Sequence, residues 1–73
     1  MADKDIETGV TAALKAYKIE TGMPDAAAQA WAVANAAEGA DLWTASYTPL
    51  RYTDPELGRE QAFADLRAWA LLP

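Results

Sequence analysis

No cysteine and no histidine occur in these 73 residues. The first absence excludes disulfides and thiolate metal sites. The second removes the commonest general base and the commonest zinc ligand. A Walker-type phosphate loop, a G-x-G-x-x-G turn and a D-x-[DN]-x-[DN]-G calcium loop are all missing. The acidic groups Asp3/Asp5/Glu7, Glu38/Asp41 and Asp54/Glu56 fall at or near expected helix ends, where carboxylates serve as caps and dipole partners. Ser46 and the threonines have neither a histidine nor a well-placed lysine to activate them. The expectation is a chain that is not an enzyme, with no catalytic residues, no cofactor and no bound metal.

Positive charge is also scarce. Six Lys and Arg stand against eleven Asp and Glu, for a net charge of -5. None of the six lies between Ile19 and Leu50. That balance argues against a nucleic-acid groove and against docking on anionic membranes. No apolar run approaches the roughly 18 residues of a membrane span. The opening MADKDIETG is acidic and polar, unlike a signal peptide. A cytoplasmic protein without direct nucleic-acid or membrane binding is expected.

Large apolar side chains are few as well. Hydrophobic residues make up 52% of the chain, but much of that is alanine, which favours helix and buries little area. Trp31, Trp43, Trp69, Tyr17, Tyr47, Tyr52 and Phe63 must therefore supply much of any core. A domain this short, with no covalent staple, is expected to draw stability from self-association or from a partner.

What is present reads as three helices. Residues 3–21 begin at Asp3 as N-cap, with Asp5 and Glu7 in the first turn. Ile6, Val10, Ala13, Leu14 and Tyr17 form one apolar stripe at helical spacing. Gly9 interrupts the pattern as a surface glycine, and Ile19 falls off the stripe. Gly22 is a natural left-handed stop. Pro24-Asp25 opens a second, alanine-rich helix to Tyr47, with Glu38-Gly39 as the candidate break. Ala28, Trp31, Asn35 and Leu42 lie on one side of it; Val33, Ala36, Ala37, Ala40 and Tyr47 lie on another. A helix that is small or apolar nearly all round is expected between neighbours. Residues 48–53 read as a loop. Asp54-Pro55-Glu56 then combines a pre-proline cap, proline at the first helical position and an acid in the first turn. The third helix runs to about Leu71, with Ala62, Phe63, Leu66, Trp69 and Ala70 on one face and Leu57 nearly opposite.

Short connections predict a single all-α domain over 1–73, a small antiparallel three-helix bundle. The β-forming stretch WTASYTPLRY is the main rival to that assignment.

A central element with aromatic and acidic side chains and no cation predicts a protein-binding face. Its candidate residues are Glu38, Asp41, Trp43, Tyr47, Leu50 and Tyr52, set against a basic or apolar protein partner. The residues leave open whether the three tryptophans are interface or core. A small acidic regulator or inhibitor is the leading expectation, with a homodimer as the commonest closed assembly. The analogy in size and composition is with inhibitors encoded by phages and other mobile elements. An accessory or structural subunit of a larger complex is the alternative. A nucleic-acid mimic ranks lower, because -5 is thin for phosphate-like spacing of charge.

Overall fold

Three α-helices account for most of the residues that the computed structural model describes, 4–72: α1 (Lys4–Glu20), α2 (Asp25–Tyr47) and α3 (Pro55–Ala70). A 3-10 turn, Thr48–Leu50, joins α2 to α3. Among the described residues there is no strand, so the β-forming stretch before Thr53 is helix and turn. The expected cap at Asp3 lies outside the described residues.

The α1 stripe faces inward. Val10 and Leu14 are fully buried, and Ile6, Ala13 and Tyr17 pack on them half-buried. Gly22 ends the helix at φ 95°, a conformation that costs glycine nothing. The Gly22 amide donates to the Ile19 carbonyl (2.9 Å) and the Met23 amide to the Lys18 carbonyl (3.3 Å). Two carbonyls at the helix end are thereby satisfied by backbone alone.

The start of α3 follows from Asp54-Pro55. Asp54 adopts φ -152°, ψ 82°, and its carboxylate accepts from the Leu57 amide at 3.1 Å. Pro55, which has no amide hydrogen to satisfy, takes the first helical position. Asp54→Ala removes that acceptor and is expected to cost about 1 kcal/mol. Urea denaturation followed by circular dichroism checks it; an unchanged midpoint would show the cap to be idle.

The second helix does not break. It runs through Glu38-Gly39 without interruption, and the predicted short continuation is its last two turns. Gly39 has a packing role instead. It is buried, and a Cβ added there would lie 2.9 Å from Val10 Cγ1, 3.1 Å from Leu14 Cδ1 and 3.3 Å from Leu66 Cδ1. The bare backbone lets side chains of both neighbouring helices close on α2 at one level. Gly58 does the same one connection later, where a Cβ would meet Tyr47 Cδ1 at 3.0 Å and Leu50 Cβ at 3.2 Å.

The helices alternate in direction, with α2 touching both neighbours more than they touch each other. Lys15 pairs with Asp25 at 3.2 Å across the first turn. Arg67 pairs with Glu20 at 3.0 Å, which places the C-terminal ends of α1 and α3 side by side and makes those two helices parallel. Both pairs are exposed enough to contribute little energy. The buried stripe of α2 is Ala28, Ala32, Ala36, Ala40 and Trp43. Among the described residues only Val10, Leu14 and Leu66 are both large and fully buried, so the core is narrow and alanine-spaced.

Aromatic clusters close its two ends. At one, Trp31 and Trp69 meet at 5.8 Å between ring centroids, with Lys18 Nζ 4.3 Å over Trp31. At the other, Trp43 stacks on Tyr47 at 4.8 Å and receives Phe63 edge-on at 5.7 Å.

Candidate functional site

The six predicted partner-binding residues do not form one surface. Trp43 is only 8% exposed and belongs to the core. The reason is its register: it continues the stripe Ala28, Ala32, Ala36, Ala40 by three residues and so points between α1 and α3. As an anchor for a partner it is unavailable in the folded chain. Tyr47 is half-buried, its ring lying against Gly58 and stacked on Trp43. Leu50 is half-buried where the 3-10 turn approaches Gly58. Glu38, Asp41 and Tyr52 are exposed. Tyr52 is 85% exposed, and its hydroxyl accepts from Arg51 Nη2, whose guanidinium lies 4.4 Å from the ring.

The exposed side of α2 includes a row that sequence spacing did not separate from the buried one. Ala26, Ala30, Val33 and Ala37 follow one another at helical spacing, all exposed, and Asp41 continues the row beside Glu38. Val33 is 60% exposed. The whole helix contains no Lys or Arg. An apolar solvent face whose only charged neighbours along the helix are acids is unusual for a surface helix, whose outer side is ordinarily charged or polar. The signal was present as the all-round apolar character of the segment, but alanine on both faces concealed which side was open.

A second feature is a pocket of about 260 Å³ lined by Asp5, Ile6, Gly9, Val10, Trp43, Arg59 and Phe63. Its walls are almost entirely apolar. Phe63, placed on the core face by its spacing, is 37% exposed at this opening. The residues of the pocket are scattered over three helices, so sequence spacing did not group them.

Two buried polar atoms, Trp43 Nε1 and Thr44 Oγ1, have no hydrogen-bond partner among the described residues. Ser46 donates to the Asp65 carboxylate at 2.8 Å, an exposed pair between α2 and α3. Burial raises the Tyr17 phenol above its ordinary pKa; nearby Arg67 opposes that rise and Glu20 adds to it. Among the described residues no three potential metal ligands converge, and no helix is long and apolar enough to cross a membrane. Comparison of the chain with protein-family models, with curated proteins and with solved structures finds no match in any of the three.

Proposed function

We propose that this chain is a non-enzymatic protein-binding module, a small acidic regulator or inhibitor whose partner presents a basic, apolar segment to the outer face of α2. The reading is carried by that face: Ala26, Ala30, Val33 and Ala37 lie open to solvent, with Glu38 and Asp41 beside them and no cation on the helix. Small side chains let a second helix approach closely. The acids at the border favour Lys or Arg on the incoming segment and disfavour acidic competitors. Trp43 and Tyr47 serve the site indirectly, by holding the helix that carries it.

The test is capture by the tagged full chain from a lysate of cells that express it, beside a Glu38→Lys/Asp41→Lys variant. One stoichiometric partner is expected on the wild type, weakened by roughly tenfold or more on the charge-reversed chain. Both sites are exposed, so helicity is expected to be the same in the two proteins. Equal retention of the partner by both chains, or recovery of the wild type alone, would reject the reading.

A further inference from the structure

The core is left unfinished at one place. Phe63 meets Trp43 edge-on at 5.7 Å and is still 37% exposed. Beside it lies the pocket of about 260 Å³. Trp43 and Phe63 supply its rings, Ile6 and Val10 its aliphatic wall, and Gly9 contributes backbone alone. A Cβ added at Gly9 would meet nothing within 4 Å, so no neighbouring side chain covers that stretch of α1. The two helices that flank the opening, α1 and α3, touch each other less than either touches α2.

The lining selects by charge, size and shape. It is almost entirely apolar. Asp5 and Arg59 border it together, one charge of each sign, so neither an anion nor a cation is favoured over the other. A charged ligand would lose water and gain almost no polar wall in exchange, whereas an uncharged one avoids that cost. A dry cavity of about 150 Å³ holds benzene. At about 260 Å³, this pocket has room for roughly two fused rings. Its aromatic wall is already ordered, because Trp43 stacks on Tyr47 at 4.8 Å and holds Phe63 edge-on. A further ring can join such a cluster in the offset or edge-on geometry that aromatic pairs prefer.

We infer that the pocket between α1, α2 and α3 binds a small uncharged aromatic molecule of about two fused rings, packed against Trp43 and Phe63. This site is separate from the outer face of α2 and stands or falls without it.

The experiment is a titration of the full-length, isotopically labelled chain with 2-naphthol, read by amide and indole chemical shifts. Three relatives of that probe are run beside it: saturated decahydro-2-naphthol, anionic 2-naphthoate and cationic 2-naphthylmethylamine. Shifts should concentrate at Gly9, Phe63 and the Trp43 indole. The naphthol is expected to bind about threefold more tightly than its saturated relative. Against either charged relative the advantage should be about fivefold or more. Gly9→Leu sets a branched side chain at the pocket's lining, at a helix position where replacing glycine favours the fold. It should weaken the naphthol by about fivefold or more. Val33→Ser, on the outer face of α2, should leave the affinity unchanged. Undiminished binding in Gly9→Leu, or an equal loss in Val33→Ser, would overturn the inference. So would a charged or saturated relative that binds as tightly as the naphthol, shifts centred elsewhere, or no saturable shift up to the solubility limit. An affinity that falls as the protein is made more concentrated would overturn it too, by showing that a second copy of the chain fills the pocket.

Discussion

Trp43→Ala is expected to lower the melting temperature by roughly 15–30 °C, the equivalent of about 3–5 kcal/mol in a domain of this size. The side chain is 92% buried, as its 8% exposure implies, and α2 directs it between the other two helices. Alanine would leave a cavity under Tyr47 and Phe63 and would end the stacked and edge-on contacts that those rings make with the indole. Each such aromatic contact is worth about 0.5–1.5 kcal/mol beyond its area. One effect runs the other way. The indole N–H is buried with no acceptor among the described residues, so its removal relieves a desolvation cost of about 1–3 kcal/mol. Trp43→Phe separates the two terms: it removes the donor and keeps a ring in place, and its loss should be much smaller. Domains this small seldom hold more than about 3–5 kcal/mol in their core, so the alanine variant should be largely unfolded at room temperature. Thermal and urea denaturation followed at 222 nm give the answer. A melting temperature within a few degrees of wild type would mean that Trp43 does not support the core.

Gly39→Leu should be nearly as damaging for the opposite reason. The first added carbon already approaches Val10 Cγ1 to 2.9 Å, with Leu14 and Leu66 close behind, and all three side chains are fully buried. Three further carbons would force α1 and α3 away from α2. Overpacking of a tight site costs typically about 1–3 kcal/mol and occasionally more. This site sits at the upper end, because side chains from both neighbours must give way together. Replacing glycine within a helix gains about 1 kcal/mol of propensity, which is too little to offset the clash. The control is Gly9→Ala, where an added Cβ meets nothing within 4 Å. There the propensity gain stands alone, and a stabilisation of about 0.5–1 kcal/mol is expected. If the two glycine variants shift the unfolding midpoint by similar amounts, close approach at Gly39 does not hold the bundle together.

Much of the fold was legible because the ends of its helices are chemically explicit. Gly22 and the Asp54-Pro55 pair work through backbone conformation and local hydrogen bonds, which depend on only a few neighbouring residues. The α1 stripe was legible because Ile6, Val10, Leu14 and Tyr17 contrast with the lysines and threonines around them. In α2 that contrast disappears. Alanine at 28, 32, 36 and 40 is buried, while alanine at 26, 30, 34 and 37 is exposed, so composition carries no sense of direction. Gly39 looked like a helix breaker because the neighbours that bury it come from other helices, and whether Trp43 faced core or partner stayed open because the stripe it extends was invisible. The outer face of α2 and the pocket beside Arg59 were hidden for a related reason. Both are defined by what the neighbouring helices cover or leave uncovered, which no single segment encodes.

The waist at Gly39 also bears on how kin of this chain would be recognised. Close packing at one level between three helices admits only a hydrogen atom at that position, whereas the packing of the fold places no such demand on the exposed alanines, the valine or the loop tyrosine. Chains that share this architecture and little else should therefore agree in a sparse pattern: small residues every fourth position along the middle helix, a glycine directly before the last of them, and a large ring three residues beyond it. Such a signature is too thin for overall similarity to detect. It is specific enough to search for by position, and it rests on the distance between helix axes instead of on surface chemistry.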